Sequence, residues 1–320
     1  MKFGAPMLAV EMDPLQLKEF AKGVEEAGYD YVTLGSHLLC VSASRFPERL
    51  AEGHPPLGSE GPFYDPFTVF AYLIAGTERL RFSTGILTLP LLPTPMVARQ
   101  AAELAILSGD RLDLGVAVGW NPLEYKAFDQ DFRKRGRRLE EQIVVLRRFW
   151  TEPLVTFQGE FHNLDGVGLN RLPARPIPLW IGGGDQLSSQ ERLLRRVAKF
   201  GDGWLPLISR DLLGPSIQSL HSLLVEEGRS PDSVKVRSSI LASRRPVSRQ
   251  IGGVTTTSQG GPDSWLADAQ VLVDAGVNEV TISSGLNDYF TPGGRKSSVA
   301  EVVAALGEAR HVLAKEFGAG

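Results

Sequence analysis

The feature that most constrains the fold is a repeated alternation of short apolar runs with stretches in which apolar residues recur at helical spacing. Phe3–Leu8 is the first short run. Leu17, Phe20 and Ala21 lie on the helical stripe that follows it. Eight such strand–helix pairs can be read along the 320 residues, and the last helix is marked from Val299. Strict alternation indicates parallel strands joined by helical crossovers, and eight pairs fit a closed (β/α)8 TIM barrel better than an open sheet.

The chain shows no composition change that would mark a boundary, so we expect residues 1–320 to form a single barrel domain. Three long connections, at 38–64, 151–178 and 242–262, interrupt the pattern and are predicted to be loop insertions, including insertions at the C-terminal face of the barrel. The second connection contains Val155–Phe161, which resembles a small hairpin.

Four dipeptides place a capping residue directly before a proline suited to the first helical turn. They are Asp13-Pro14, Asp65-Pro66, Thr94-Pro95 and Asn121-Pro122. Each is therefore predicted to begin a helix.

Composition excludes several classes of protein. A formal net charge of −3 argues against a nucleic-acid binder, which usually has a basic domain or stripe. No apolar stretch approaches the roughly 18 residues needed to span a bilayer, and the N-terminus does not resemble a signal peptide, so we expect a cytoplasmic enzyme. A single cysteine, Cys40, excludes an intrachain disulfide and a CxxC site. Five scattered histidines without an HExxH motif predict no metal site.

A run of three glycines, Gly182-Gly183-Gly184, follows the predicted strand Leu179–Ile181 and precedes a helix. Because glycine has no side chain, the backbone there can approach a ligand closely and present N–H groups. A helix N-terminus just beyond adds a favourable field for an anion. The run predicts a phosphate-binding turn, with a flexible connection between strand and helix as the alternative.

Two further strand ends carry candidate residues, because barrel active sites lie at the C-terminal ends of the strands. Gly119 could help present N–H groups to a second anionic point, and Trp120 offers a flat surface for a ring or an apolar substrate. His37 ends the second predicted strand and could act as acid or base near neutral pH. A hydrogen-bonded structural histidine is the alternative at that position.

Other residues support weaker hypotheses. Glu103 and Glu124 raise a glycosidase alternative, which requires two carboxylates on opposing loops. Cys40 could pair with His37 as a nucleophile, although a packed or incidental thiol is the simpler interpretation. The basic run Arg133–Arg138 is interpreted as a solvated helix start with local ion pairs.

The chain also carries an ordered series of short motifs. They are Gly-Tyr-Asp-Tyr-Val at 28–32, Gly-Ser-His at 35–37, Asp-Pro-Phe-Thr at 65–68, Thr-Gly-Ile at 84–86, Gly-Val-Ala-Val-Gly-Trp at 115–120, Glu-Tyr at 124–125, Pro-Leu-Trp-Ile-Gly-Gly at 178–183 and Gly-Asp-Gly-Trp at 201–204. The series resembles the bacterial luciferase-like family of flavin and deazaflavin enzymes. The resemblance covers nearly the whole chain.

This resemblance implies a (β/α)8 barrel with the ring of a cofactor against the third strand. In the family a non-prolyl cis peptide forms a bulge there, and its match is Gly85-Ile86. The family's phosphate contacts fall on Gly119-Trp120 and on Gly182–Gly184, which agrees with the anion sites inferred from the glycines.

The subgroup that the chain resembles most uses the deazaflavin coenzyme F420. In several of its members a histidine at the position of His37 works beside the reactive carbon of the coenzyme. Many relatives have aspartate before this histidine, whereas this chain has Ser36. A carboxylate there would favour the charged imidazole. Without it, the resemblance still implies that His37 can donate a hydrogen bond, but it does not imply a strongly basic His37.

The resemblance therefore implies an oxidoreductase that transfers a hydride between coenzyme F420 and a small organic substrate. The alternatives are a two-component monooxygenase that uses FMNH2 and O2, and a non-catalytic flavin- or deazaflavin-binding protein. Barrels of this family often pair, so a homodimer is expected, with neither nucleic acid nor membrane as a partner.

Overall fold

The structure is a computed structural model that describes residues 1–7, 12–40, 42, 45, 64–184, 187–251, 254–284 and 297–318. For 187–189 and 249–251 this description covers the backbone only.

Strands and helices alternate along the described chain as the sequence predicts. The strands are β1 (Lys2–Pro6), β2 (Tyr31–Leu34), β3 (Arg81–Thr84), β4 (Leu87–Thr88), β5 (Leu112–Ala117), β6 (Val155–Gln158), β7 (Asn163–Val167), β8 (Leu179–Gly183), β9 (Gly203–Pro206), β10 (Lys235–Ala242), β11 (Val247–Ile251), β12 (Val254–Ser258) and β13 (Glu279–Ser284). The helices are α1 (Pro14–Glu26), α2 (Pro66–Ile74), α3 (Thr94–Ser108), α4 (Pro122–Ala127), α5 (Arg135–Thr151), α6 (Leu187–Phe200), α7 (Arg210–Glu226), α8 (Pro262–Asp274) and α9 (Val299–Phe317).

The sheet is a closed ring of parallel strands. Its order is β3-β2-β1-β13-β10-β9-β8-β5-β4, and a pairing of β3 with β5 closes it. Counting β3 and β4 as one interrupted strand, the described residues form eight strand positions, so the predicted (β/α)8 barrel is confirmed. Ring closure leaves no exposed sheet edge and brings all strand C-termini to one mouth.

The third strand is not continuous. The run Leu80–Leu87, which the sequence indicates as one strand, divides into β3 and β4 around a cis peptide bond between Gly85 and Ile86. This is the position at which the family resemblance places a non-prolyl cis bond. The interruption leaves Gly85 exposed between buried neighbours, Thr84 and Leu87.

Three of the four predicted proline-linked caps are confirmed. The side chains of Asp13, Asp65 and Asn121 each accept a backbone N–H from the first turn of their helix. Thr94 was predicted wrongly as a cap, because it lies inside α3 and Pro93 precedes it. The Thr94 hydroxyl lies 2.6 Å from His162 Nε2. It therefore bonds to a side chain from a distant loop and not to the backbone N–H groups at the start of the helix.

The long connections contain more structure than the sequence pattern indicates. The predicted hairpin is present as β6 and β7, which pair antiparallel. A second hairpin, β11 and β12, lies within the connection 242–262, where no strand was predicted. Its sequence consists mostly of Ser, Thr, Arg and Gln around Gly252-Gly253, so it lacks the apolar alternation of a half-buried strand.

The lower half of the barrel, at the N-terminal ends of the strands, is filled by three stacked side chains, which we call the barrel floor: Tyr31, Trp180 and Arg237. The Arg237 guanidinium lies 3.8 Å from the Tyr31 ring centroid and 4.1 Å from the Trp180 ring centroid. It donates to Glu279 Oε2 at 2.7 and 2.9 Å and to Ser83 Oγ at 2.8 Å. The Arg237 side chain is only 2% exposed, so its charge depends on these partners.

The turn before β3 is fixed by a buried carboxylate. Glu25, at the end of α1, accepts the backbone N–H groups of Glu78, Arg79 and Leu80 at 2.7–2.9 Å. Burial acts to raise the pKa of Glu25, but these hydrogen bonds to the charged form outweigh it and the pKa lies below its usual value.

Among the helices of the described ranges, none combines the length and the apolar character that crossing a bilayer requires.

The barrel floor generates a stability prediction. Arg237→Met leaves Glu279 buried without its main cationic partner, so we expect a loss of about 3–5 kcal/mol in the free energy of unfolding measured with urea. Arg244→Met is the control, because Arg244 pairs with Glu308 at an exposed surface and should cost about 1 kcal/mol or less. Equal losses in the two variants would contradict a structural role for the floor.

The Glu25 contacts predict a pH dependence. Glu25→Gln should lower the free energy of unfolding at pH 7 by about 1–3 kcal/mol, because a neutral amide is a poorer acceptor for three N–H groups. Since the pKa of Glu25 is lowered on folding, its contribution is complete above the unfolded-state pKa of about 4.3 and is lost as the pH falls through the folded-state pKa. Urea titrations at a series of pH values should show the two proteins converging in acid. The exposed neighbour variant Glu26→Gln should show no such convergence.

Candidate active site

The ends of β2 and β3 meet at the barrel mouth. The backbone N–H of Gly85 donates to the Leu34 carbonyl at 2.8 Å. A Cβ atom on Gly35 would lie 3.2 Å from the Gly85 carbonyl oxygen, and one on Gly85 would lie 3.3 Å from Thr33 Cβ. Small residues at these points let the strand leading to His37 lie directly beside the interrupted third strand.

Glycines from two more strands surround the same interruption. A Cβ atom on Gly182, in β8, would lie 2.8 Å from Ile86 Cγ2. Gly119, after β5, has a φ of +68°, and a Cβ atom there would lie 2.5 Å from Thr88 Cγ2. Gly183 and Gly184 continue β8 with φ values of 137° and 121°. Among the predicted anion-binding glycines, Gly182 thus lies against Ile86 and Gly119 against Thr88, on the two sides of the end of the interrupted strand.

His37 has a carboxylate neighbour that the sequence interpretation missed. The Glu124 carboxylate, from α4, has Oε2 at 3.7 Å from His37 Nδ1. Its other oxygen accepts the N–H groups of Leu38 and Leu39 at 3.1 and 3.3 Å. The Glu124 side chain is 4% exposed and the His37 side chain 23% exposed, so the pair lies at the boundary between protein and mouth. Glu124 thus supplies a carboxylate near the imidazole, although Ser36 does not.

Trp120 completes this group. Its ring packs against the His37 ring in an edge arrangement, with centroids 6.2 Å apart and an interplanar angle of 73°. The turn that carries Trp120 is held by Tyr125, whose hydroxyl donates to the Val118 carbonyl. Burial raises the pKa of Tyr125, which keeps the phenol protonated as a donor. The mouth therefore brings together His37, Trp120 and the three glycine-rich strand ends.

Other candidates lie elsewhere. Glu103 is exposed on α3 and pairs with Arg99, so it does not converge with Glu124 as a glycosidase would require. Cys40 is exposed. His162 is buried and lies 2.7 Å from Glu141 Oε1, which holds the β6–β7 hairpin against α5.

The basic run Arg133–Arg138 is only in part a solvated helix start. Lys134 and Arg137 pair with Glu160 of the hairpin region rather than with neighbours on the same helix. Arg138 donates to the Pro90 carbonyl at 3.0 Å.

Most of the connection 38–64, which the sequence predicts to be a loop insertion, lies outside the residues that the structure describes. Within the part of the chain that is described, His, Cys, Asp and Glu side chains form no group of three that could hold a metal ion.

A family model for luciferase-like monooxygenases matches residues 1–249. An uncharacterized protein of Mycobacterium tuberculosis is 35% identical over 187 residues, which are 58% of this chain and 62% of that protein. The chain thus matches less than two thirds of the length of this relative. An F420-dependent glucose-6-phosphate dehydrogenase of Kineococcus radiotolerans is 27% identical over 248 residues, covering 74% of this chain and 67% of that one.

Solved structures share the fold. An F420-dependent secondary alcohol dehydrogenase in complex with an F420-acetone adduct superimposes with a TM-score of 0.75 at 15% identity, covering 98% of each chain. A monooxygenase from Streptomyces bottropensis superimposes with a TM-score of 0.72 at 18% identity, covering 97% of this chain and 98% of that one.

The packing around Gly119 can be tested by substitution. Gly119→Ala should destabilise the protein by about 1–2 kcal/mol for the positive φ and by about 1–3 kcal/mol more for the contact with Thr88. Gly109→Ala is the matched control, because Gly109 has a φ of +65° with no atom within 4 Å of the added Cβ. Urea unfolding of both variants separates the two causes, and equal losses would show that the strand end is not closely packed.

Proposed function

The chain belongs to the luciferase-like monooxygenase family, and on this basis we propose that it is an oxidoreductase that holds a flavin or deazaflavin ring at the barrel mouth. The observation that carries the proposal is the close approach of the chain that leads to His37 to the interrupted third strand: Gly35, two residues before His37, lies against the Gly85 carbonyl. A side chain able to exchange protons thus lies beside a stretch of backbone without side chains.

The residues at the mouth fit such a group. A planar ring requires a flat surface, and Gly85 is exposed there while Gly182 adds no side chain next to Ile86. A phosphate-bearing tail requires N–H donors, and the backbone at Gly119-Trp120 and Gly182–Gly184 is available for that purpose because glycines admit a close approach. Ile86 Cγ2, next to Gly182, would give such a ring an apolar contact.

Among the coenzymes of this family we favour F420. Support comes from His37 at the end of β2 and from relatives named as F420-dependent dehydrogenases. When bound, this coenzyme accepts or supplies a hydride at a carbon atom. The FMN-dependent monooxygenase is the second candidate, supported by the shared fold with the Streptomyces monooxygenase.

The chain's own residues have defined tasks in this proposal. The His37 imidazole takes up or releases the proton that accompanies hydride transfer, since histidine can do either near neutral pH. Glu124 lies within ion-pair distance of Nδ1, so it orients the ring and pairs with the imidazolium when that forms. Trp120 contacts the imidazole edge and limits the access of water to it.

Titration of the purified protein with both coenzymes tests the proposal. Absorbance and fluorescence monitor the binding, and we expect the dissociation constant of F420 to be at least about tenfold lower than that of FMN. His37→Asn should retain coenzyme affinity but lose about 10²–10⁴-fold in the rate at which a substrate bleaches the oxidised coenzyme. His311→Asn, on the exposed face of α9, is the control and should behave as the parent.

The alternatives give different results. Tight binding of FMN with consumption of O2 by the reduced form would favour the monooxygenase. An unchanged rate in His37→Asn would contradict the proton-transfer role of His37. Binding of a coenzyme without bleaching by any substrate tested would favour a binding protein. Binding of neither coenzyme would contradict the proposal.

A further inference from the structure

The upper half of the barrel, between the floor and the mouth, is lined by small side chains. Strand alternation identifies, on each strand, an inward-facing residue above the floor. We call these the upper layer: Pro6, Thr33, Gly85, Ala117, Gly182, Leu205, Ser239 and Thr281. Barrel interiors are ordinarily filled by bulky branched residues at every level, and Leu205 alone has that character here.

Contacts confirm that Thr281, Gly182, Ala117 and Leu205 point into the barrel. Thr281 Oγ1 lies 3.1 Å from the Tyr31 hydroxyl at the floor. A Cβ atom on Gly182 would lie 3.7 Å from Ala117 Cβ. A Cβ atom on Gly115, which also faces inward, would lie 3.1 Å from Leu205 Cδ1. The upper layer is therefore a ring with side chains too small to close it.

Ser239 shows that this space is open to solvent. It lies in the middle of β10 and pairs with Thr281 of β13, whereas the pairing of β10 with β9 ends at Val236. Its neighbour Ile240 is 1% exposed, against the outer helices. Arg237, two residues earlier, points into the floor, so Ser239 also points inward. Ser239 is nevertheless exposed. Since Ser239 faces inward and is exposed, the space above the floor is open to solvent as far down as Ser239, at the upper end of the barrel where β9 and β10 are no longer paired.

The cavity has two chemically different walls. β10 is the strand directly opposite β3 in the ring, so Ser239 faces Gly85 across the barrel. Ser239 lies beside Thr281 in the register of β10 and β13, which makes this wall a pair of hydroxyl groups. Each hydroxyl has one donor and two acceptor positions, so the bond of Thr281 to Tyr31 leaves capacity for a ligand.

The part of the cavity lining that the structure describes carries little net charge. The nearest cation below it, Arg237, is neutralised by Glu279 and approaches Asp113 at 3.4 Å. Among the inward-facing residues described above the floor, His37 at the rim is the only ionisable side chain, and it has Glu124 beside it. The glycine turns are already assigned to the tail of the coenzyme, so a phosphate or carboxylate on the substrate would need donors of its own, which Arg or Lys ordinarily supplies.

Resting on the proposed function, we infer that the substrate is a small uncharged molecule whose hydroxyl or carbonyl oxygen pairs with Ser239 and Thr281, and not a phosphorylated or carboxylated one. The hydroxyl wall then holds the substrate against the ring site at Gly85-Ile86, with His37 at the rim between them.

Thiol labelling tests the cavity directly and without turnover. In a Cys40→Ser background, Ser239→Cys and Ile240→Cys are compared under native conditions with a neutral hydroxyethyl and an anionic sulfonatoethyl methanethiosulfonate. We expect Ser239→Cys to react about a hundredfold or more faster than Ile240→Cys, because the latter reacts only through local opening. The ratio of anionic to neutral rates at position 239 should not exceed that of free cysteine.

Several outcomes are decisive. Protection of position 239 equal to that of position 240 would show that the cavity is absent and overturn the inference. If the anionic reagent labelled position 239 at least about tenfold faster than the neutral reagent, the pocket would attract anions, and this would also overturn the inference. With coenzyme F420 present, glucose 6-phosphate should leave the labelling rate unchanged, and protection by it would contradict an uncharged substrate.

The coenzyme titration is measured separately from the labelling. Failure of F420 to bind, with position 239 labelled as expected, would contradict the proposed coenzyme and leave the uncharged cavity standing. Binding of F420 together with a failed labelling result would contradict the substrate class alone.

Discussion

The structure depends on a single buried arginine. Arg237 lies between two aromatic rings in the lower barrel and is neutralised by Glu279. A guanidinium is planar, weakly hydrated and able to stack, so it fills this space where a lysine would leave gaps. With the lower level closed by the floor, the upper level can be lined by small residues without losing the core. The cavity at the mouth follows from that division.

The mouth itself combines two kinds of strand end. Glycines stand at the end of β8 and just after β3 and β5, whereas His37 stands three residues after the end of β2. Glu124 joins the two kinds, because α4 follows β5 while its carboxylate holds the backbone after β2. A group bound at the glycines and the histidine that exchanges the proton would therefore be held in a fixed relative position by Glu124.

Much of this could be read from the sequence. The barrel, the first hairpin and three of the helix caps follow from local patterns: periodicity, turn residues and capping residues before proline. The glycine runs predicted where backbone would be exposed. Thr94 shows where local reasoning fails, because its partner His162 is 68 residues away and outcompetes the helix end. The β11–β12 hairpin was missed because most of its residues are polar and its few apolar residues, Val247, Ile251 and Val254, form no continuous alternation.

The sequence by itself determined the eight-fold alternation, the positions of the strand ends and the types of residue placed there. Only the tertiary structure decided that Glu124 stands beside His37, since 86 residues separate Leu38 from that carboxylate. It likewise placed Ser239 opposite Gly85 and packed Arg237 against Ser83, 154 residues away. The physical reason is ring closure. Each strand constrains its neighbours locally, but the partners across the barrel interior are set only when the last strand pairs with the first.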